Sequence, residues 1–483
     1  MIPYTMSEVL KLNSIDFKPN QTSIRVLCPF CSKKKINKDL GISLDSEKFN
    51  CFCCGISGRG ATEFHAYLHN ITTKEAYAEI MQQLGYSTDK ANNMPKRERT
   101  VTHIEPPLPQ SEEADDITKN QTYSMLLSCL KLSDRHTQDL LERGFLNHEI
   151  ATLGYVTYPK SKSDGYTEEY FSIPKRLIGQ NCTLKGIPGF HKTKNKNVWT
   201  LCRRKGGILV PYRNFYNQIT GIQLRKNNED LLINDETGEA ESKYTWLSSN
   251  NLKEGCKTSS KIHFATDFEW SKEKQEFHPV LKKGIIVLTE GAMKADLTHM
   301  ISGLPFMAVP GVSCASEALK VNIPLLKEIG LEKVIIAYDM DKVMNINVSE
   351  ALVKMKKLIE EFGIIVEELY WSTDMVLTDG THEKMDVSDT FVFTTSSLAD
   401  TLEADKLDKM LSKIKGIDKK QIIFALANSK ELTEENKCNY SVLKKACEKE
   451  DLICRPAFWS LKLKGIDDYY ACKQRNVNYQ FAK

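Results

Sequence analysis

Four cysteines and three carboxylates in this sequence stand at spacings that chemistry can use. Cys28-Pro-Phe-Cys31 is followed, nineteen residues later, by Cys51-Phe-Cys-Cys54. Each C-x2-C pair is a tight knuckle that can place two thiolates on one tetrahedral ion, and four thiolates leave no open coordination position. The spacing therefore predicts a structural Zn2+ on Cys28, Cys31, Cys51 and Cys54, with no reaction at that metal. Cys53 is an alternative ligand in principle, but the C-x2-C spacing favours Cys51 with Cys54. Gly55, Gly58 and Gly60 follow the second knuckle and supply the positive φ such turns need. His65 and His69 share helical i, i+4 spacing, but the cysteines already complete a site, so both read as surface or packing residues.

The carboxylates have a different setting. Glu290 follows the apolar run Ile285–Leu288 and precedes Gly291, while Asp339 and Asp341 follow the run Val334–Tyr338. In an open parallel sheet, functional groups gather outside the C-terminal strand ends. In Asp-x-Asp both side chains lie on one face of an extended backbone. Oxygen-only ligands suit Mg2+ or Mn2+, and such an ion can neutralise a transferring phosphate and orient the attacking hydroxyl.

The elements that must hold these groups can be read from periodicity. Residues 1–86 form a small unit in which the β-like runs Ser23–Leu27 and Gly41–Leu44 accompany the cysteines. A helical pattern runs through Phe64, Tyr67, Leu68, Ala76, Ile80 and Leu84 to a stop at Gly85. Residues 87–118 are polar, carry Pro95, Pro106, Pro107 and Pro109, and read as an extended linker. Residues 119–283 read as mixed α and β. A helical stretch covers Tyr123–Arg143, and strands Gly207–Val210 and Ile219–Leu224 are joined by a polar turn. From 284 to about 371 apolar strands alternate with helices, which predicts a parallel sheet covered on both faces.

A faint internal repeat adds to this. Val334–Lys342 aligns with Ile422–Lys430 at an offset of 88, which also carries Trp371 onto Trp459, Lys356-Lys357 onto Lys444-Lys445 and Ile365 onto Ile453. Asp-Met-Asp of the first copy becomes Ala-Asn-Ser in the second. The unit is either duplicated with its acids lost, or two ordinary β-α-β segments agree by chance.

Composition bounds the function. The 483 residues are 41% hydrophobic and 27% charged, as in a globular protein of three or four domains. No apolar run is long enough to cross a bilayer, and Met1–Asn20 lacks the pattern of a signal peptide. With fourteen cysteines, five of them between Cys28 and Cys54, this points to metal binding in a reducing cytoplasm rather than to disulfides. The net charge of +3 says little, but Lys192–Lys205 carries six cations and no acid, a run that is either a phosphate-attracting patch or a solvated basic loop.

Taken together, the motifs resemble DNA primases of the bacterial DnaG type. Leu288-Thr-Glu-Gly291 and Tyr338-Asp-Met-Asp341 are similar to the Toprim signature of those primases, of topoisomerases and of some nucleases. Cys28-Pro-Phe-Cys31, Asn50-Cys-Phe-Cys-Cys-Gly55 and Glu63-Phe64 resemble the zinc-binding domain that opens DnaG-type primases, except that one usual His ligand is Cys31 here. Arg203–Arg213, Gly221–Arg225 and Lys243–Ser248 resemble the basic subdomain ahead of Toprim. Ile187-Pro-Gly-Phe190, Lys243–Ser248 and Val309-Pro-Gly-Val-Ser313 are similar to primase-like proteins of phages and mobile elements. The resemblance covers roughly residues 20–86 and 130–390.

It implies an α/β multidomain protein: a zinc ribbon (1–86), a linker (87–118), a mixed α+β basic subdomain (119–283), a Toprim parallel sheet flanked by helices (284–395), and a C-terminal α/β region (396–483) that the repeat would make a degenerate Toprim-like copy. It implies RNA primer synthesis on single-stranded DNA from nucleoside triphosphates, beside a replicative helicase and without a membrane. Glu290 would act as acid/base or metal ligand. Asp339 and Asp341 would hold Mg2+ or Mn2+, and Arg203, Arg204, Lys205, Arg225 and Lys243 would contact template or nucleotide phosphates. The family closes its acidic site with a further Asp pair. Asp386 with Asp389 is preferred for its distance from Asp341, and Asp467 with Asp468 is the alternative. Residues 396–483 do not resemble the helicase-binding domain of cellular primases.

Other readings remain distinct. No Gly-x4-Gly-Lys-Ser/Thr stretch indicates a fused helicase. A Toprim nuclease would direct water with the same acids, and a non-catalytic factor would bind single-stranded DNA without them. Phe30 and Phe52 are placed either to stack on bases or to pack the ribbon.

Overall fold

The computed structural model describes residues 3–15, 17, 22–30, 40–51, 56–85, 108–160, 167–233, 240–311, 315–371, 374–377, 381–384, 387–399, 401–426, 434–458 and 463–475. It divides into two compact units. The first takes Met1–Glu112, His191–Asn197 and Ser249–Cys256, and the second takes Glu113–Phe190, Val198–Ser248 and Lys257–Lys483.

In the first unit, helix α1 (Met6–Leu12) precedes an antiparallel meander of β1 (Ser23–Val26), β2 (Leu40–Ser43), β3 (Lys48–Cys51) and β4 (Ser57–Arg59). Strict alternation puts Ile24, Val26, Leu40, Ile42, Phe49 and Cys51 on one face, where they bury against Val9, Phe64 and Ile80. The helical pattern read as one run is two helices, α2 (Ala61–His69) and α3 (Thr73–Gln83). Asn70 at φ 53° ends the first, and a Thr72–Glu75 capping box starts the second. Of the expected linker, residues 86–107 lie outside the described residues. Residues 109–111 are bound to the 249–256 segment through Glu254 N–H to Pro109 O (2.7 Å) and Ser111 N–H to Gly255 O (2.8 Å).

The second unit opens with α4 (Asp116–Ser128), α5 (Asp134–Glu142) and α6 (Asn147–Leu153), so residues 116–118 are the first turn of a helix capped by Asp115. The single helical stretch expected over Tyr123–Arg143 is thus split, and a Ser133 cap starts its second half. After β5 (Val156–Tyr158) come α7 (Glu169–Gly179) and the short strand β7 (Trp199–Leu201); the short strand β6 (Phe190–Lys192) marks the boundary at which the chain leaves the second unit for His191–Asn197 of the first. Strands β8 (Gly207–Arg213), β9 (Ile219–Arg225) and β10 (Tyr244–Trp246) then join β5 in an antiparallel sheet of order β10-β9-β8-β5.

A five-stranded sheet follows. It contains β11 (His263–Ala265), β14 (Ile285–Glu290), β15 (Phe306–Val309), β16 (Lys333–Ile336) and β17 (Ile365–Glu368), in the order β11-β15-β14-β16-β17; the hairpin β12 (Phe268–Ser271) and β13 (Glu276–Pro279) intervenes. All its pairings are parallel except that of the edge strand β11. Helices α8 (Ala292–Ser302), α9 (Ser316–Glu328) and α10 (Ile346–Glu360) connect the strands. The inner strands are buried on both faces, which is why they read as continuous apolar runs.

The second five-stranded sheet has the order β19-β18-β22-β21-β20. Its members are β18 (Asp374–Leu377), β19 (His382–Lys384), β20 (Thr390–Thr394), β21 (Gln421–Leu426) and β22 (Ile453–Phe458), with helices α11 (Thr395–Ala399), α12 (Ala404–Gly416) and α13 (Glu434–Lys449); α14 (Ile466–Arg475) ends the described chain. Strands β18, β19 and β20, grouped from the sequence with the first sheet, pair instead in the second. There β20 lies parallel to β21 and β18 antiparallel to β22. The 88-residue offset recurs in the elements. Lys333, Ile346 and Ile365 open β16, α10 and β17, while Gln421, Glu434 and Ile453 open β21, α13 and β22. The strand registers agree too, Lys333 opposite Ile365 and Gln421 opposite Ile453.

Candidate active site

Strands β14 and β16 are parallel neighbours, with Leu288 opposite Ile336, so both chains leave the sheet at the same end. Glu290 is the last residue of β14. Asp339 follows β16 and begins a short 3-10 turn, Met340–Val343, that carries Asp341. The Thr289 hydroxyl donates to Ala337 O (2.8 Å) and ties the two exits together. Gly291, at φ 82°, turns the chain from Glu290 directly into α8, a conformation that only glycine adopts without strain. From the other side, a Cβ built on Gly311 would lie 4.0 Å from Glu290 Oε1, so the backbone after β15 borders the same carboxylate.

Three groups missed in the sequence complete the cluster. Lys294, in the first turn of α8, is ion-paired with Asp339. Lys464 Nζ lies 2.5 Å from Asp341 Oδ2, and its carbonyl accepts from the Met340 N–H (3.0 Å). Arg143, the residue that caps α5, lies 2.5 Å from Asp467 on α14. Asp467 is 1% exposed, and its Oδ1 has no hydrogen-bond partner among the described residues. Gly465 makes room for it, since a Cβ there would stand 2.3 Å from Asp467 Oδ1. Ile466 anchors this end of α14 in the sheet's core beside Ala295, Phe306 and Ala337.

The charges are strongly coupled. Burial pushes the Glu290 carboxyl above its ordinary range, and Asp339 and Asp341 add to this against the pull of Lys294. Burial alone would discharge Lys294, but Asp467, Asp339 and Glu290 more than offset it and hold its ammonium above the usual lysine value. Burial likewise opposes the charge on Asp467, yet Arg143 and Lys294 keep its carboxyl below the usual range. Asp468, whose carboxylate accepts from the Gly465 N–H (3.1 Å), is raised by burial and by Asp467.

Of the two Asp pairs, this places Asp467 and Asp468 with the acidic cluster. Asp386 lies outside the described residues. Asp389 precedes β20, where its carbonyl accepts from Lys420 N–H (2.7 Å) and its side chain from the Gln421 amide (3.3 Å). That is the N-terminal end of the second sheet's strands, whereas parallel sheets gather functional groups at the C-terminal end. Sequence distance alone had favoured the Asp386–Asp389 pair.

The basic residues divide into two groups. Arg225 ends β9 opposite Tyr244, 4.0 Å from Asp139. Lys243 is pulled down to about 8 by burial and by the neighbouring charges of Arg225 and Arg143. Arg143 thus links this basic edge to Asp467. Arg203, Arg204 and Lys205 occupy the turn into β8. There the Arg204 guanidinium donates to Ser248 O (2.8 Å), Lys205 donates to Asp230 O (3.2 Å), and Arg203 is exposed. Gly207 lets this turn press on β9, because a Cβ there would meet Arg225 O at 2.3 Å.

Buried Asp296 holds α8 in place. Its carboxylate accepts from Tyr155 (2.6 Å) and from His263 Nε2 (2.9 Å), while His263 Nδ1 accepts the Arg213 N–H (3.0 Å).

In the first unit, Cys28 follows β1 and Cys51 ends β3. Val26 and Cys51 both pair with Leu40, so the two strands end at the same edge of the sheet. Cys31 and Cys54 lie outside the described residues, as do Cys53 and Phe52. Phe30 packs edge-on against Phe64 (5.8 Å), which is a core role. The opposite sheet face carries Arg25, Lys48 and Arg59 among Ser23, Ser43, Asn50 and Ser57, with no acid. The period-two alternation of the strands could have revealed it.

Among the described residues no three His, Cys, Asp or Glu side chains converge to hold a metal ion as they stand; lysines lie against Asp339 and Asp341. The donor set nevertheless fits a hard divalent ion. It is carboxylate throughout, and the buried Asp467 Oδ1 is an acceptor still unsatisfied. No helix among the described residues is long and apolar enough to cross a membrane.

Comparison with known proteins gives a family match over part of the chain. A family model described as "Domain of unknown function (DUF3854)" matches residues 277–380. No curated protein matches the sequence. Among solved structures, the chain is similar to the zinc-binding and RNA polymerase domains of Aquifex aeolicus primase, at 13% identity and a TM-score of 0.37, over 93% of this chain and 95% of that one. It is similar to the RNA polymerase domain of Mycobacterium tuberculosis primase DnaG in complex with a double-stranded DNA oligomer carrying an overhang, at 16% identity and a TM-score of 0.35, over 51% of this chain and 68% of that one. A DnaG primase catalytic domain bound to single-stranded DNA is similar at 15% identity and a TM-score of 0.33, over 53% of this chain and 71% of that one.

Proposed function

We propose that this protein is a DNA primase of the Toprim class, joining nucleotides into short RNA primers on single-stranded DNA. The observation that carries this reading is the delivery of Glu290, Asp339 and Asp341 to one end of two adjacent parallel strands. Glu290, Asp339, Asp341 and Asp467 would hold Mg2+ or Mn2+. When bound, the ion would neutralise charge on the triphosphate and orient the primer's 3′-hydroxyl.

The chain's own residues supply the rest. Arg143 and Arg225, with Lys243 when protonated, would bring positive charge to one side of the cluster, suited to the phosphates of nucleotide or template. Arg203, Arg204 and Lys205 extend that charge along the turn before β8. Buried Asp296 keeps α8 and its first turn in register with the acids. In the first unit, Cys28, Cys31, Cys51 and Cys54 would hold a structural Zn2+, and the face with Arg25, Lys48 and Arg59 would meet the DNA backbone. The motifs shared with primase-like proteins of phages and mobile elements favour replication of such an element in a bacterial cytoplasm, beside a replicative helicase.

Purified protein incubated with single-stranded DNA, labelled nucleotides and Mg2+ or Mn2+ should yield short labelled products. An Asp339→Ala/Asp341→Ala variant should yield none. Template degradation lost in the same variant would replace the primase with a Toprim nuclease. DNA binding with neither product would leave a binding factor.

A further inference from the structure

We propose that Trp371 is a positioning residue of the acidic site: its indole holds the Asp467-bearing end of α14 against the turn that carries Asp339 and Asp341. This rests on the metal site of the reading above. The two parts are far apart in sequence, and nothing local brings them together. Residues 463–465, which lead into α14, belong to neither helix nor strand, so bonds from outside must hold them. Among the described residues two such bonds reach their backbone. The Met340 N–H donates to Lys464 O (3.0 Å), and the Trp371 Nε1–H donates to Leu463 O (2.9 Å). That bond satisfies the indole's one polar group while its rings pack.

The packing runs both ways. Trp371 lies against the apolar cluster of Met340 and Val343, on either side of Asp341, with Ile423 and Ala457 of the second sheet. It also lies against the cluster of Ala337, just before Asp339's turn, and Ile466, which precedes Asp467. Among the described residues no other side chain belongs to both clusters. Lys342 ties the turn to the same place. Its buried ammonium donates to Leu369 O (2.8 Å) and stands 4.1 Å from the Tyr370 ring centroid and 5.7 Å from that of Trp371. A cation over aromatic faces is attracted to them, so the Asp-x-Asp turn is drawn to the chain that leaves β17, where Trp371 stands.

A wedge in the core would only add stability. A residue that seats Asp467 must affect a bound ion through Asp467, and that difference can be measured.

The test is Mn2+ affinity of the full chain, read by electron paramagnetic resonance. Trp371→Phe keeps a ring and loses the N–H. It should weaken Mn2+ binding about ten-fold, the scale on which losing a group that orients a ligand is felt. The same change should have no further effect in the Asp467→Ala background, because the carboxylate it positions is already gone. That background keeps Glu290, Asp339 and Asp341, and Arg143, 25% exposed, can turn to water. Equal losses in both backgrounds would overturn the proposal, as would a folded Trp371→Phe that binds Mn2+ like the wild type. Should Trp371→Phe not fold, Ile466→Val carries the same comparison from the α14 side. No Mn2+ uptake by wild-type protein beyond what Asp339→Ala/Asp341→Ala retains would instead remove the metal site itself, and with it the primase reading.

Discussion

Lys243 is held near pH 8 by its surroundings, which makes it a group whose contribution to phosphate binding can be switched. Burial comes first among the causes, then the charges of Arg225 and Arg143. Because its folded pKa lies below the unfolded value, the folded chain binds this proton more loosely, and its own contribution to stability rises with pH above about 8. Phosphate binding runs the other way, since the ammonium is lost as pH rises through the same value. Affinity for a single-stranded oligonucleotide is therefore expected to fall several-fold between about pH 7 and about pH 9, while Lys243→Arg, always charged, should abolish the drop. A flat profile in the wild-type protein would remove Lys243 from the interface.

At this scale the acids of the motif were legible, because Glu290 ends a strand and Asp-x-Asp follows the next one closely, although Asp341 lies in a 3-10 turn and not on the extended backbone expected of it. The Arg143–Asp467 pair was not, because its members are 324 residues apart and nothing local announces either. Lys294 stood in plain view four residues after Glu290. Only the field of three acids distinguishes it from any other helical lysine.

The elements carry a second set of constraints. Helix α14 is fastened at both ends, by Asp467 to Arg143 and by Arg475 to Glu149 (2.5 Å) and to Gly144 O (2.5 Å). Glu149 is 4% exposed, so Arg475→Ala would leave a buried carboxylate unpaired. The expected cost is about 3–5 kcal/mol, measurable as a lowered urea midpoint, with loss of Asp467 from the site as α14 loosens. A change within the scatter of surface substitutions would show that α14 is held by its apolar contacts alone.

Strands β8, β9, β14, β15, β16 and β17 were readable from apolar runs. Helix breaks at Asn70 and Ser133 were not, because periodicity carries across a short turn while capping geometry does not show in it. The membership of β18–β20 was hidden for another reason. A strand's sequence fixes which face is buried, not which sheet accepts it.

For the whole molecule, the proposed Zn2+ would matter most to the first unit. A structural Zn2+ on four thiolates contributes on the order of 10 kcal/mol in small modules. Its removal with a strong chelator should unfold the first unit while the second keeps its own cooperative transition. Calorimetry would read this as the loss of one of two transitions, and proteolysis as early cleavage before Glu113. Loss of both transitions together would show that the two units do not melt independently.

The sequence repeat was legible only as nine aligned residues and a few scattered matches. The structure puts the strand–helix–strand unit in identical register in the two sheets.

Gly465 has a bearing on how this molecule can change over generations. Any side chain there would push against Asp467 Oδ1. A side chain at 465 and the present seat of the Asp467 carboxylate beside Arg143 therefore exclude each other, so a substitution at 465 would have to turn that carboxylate away from its partner.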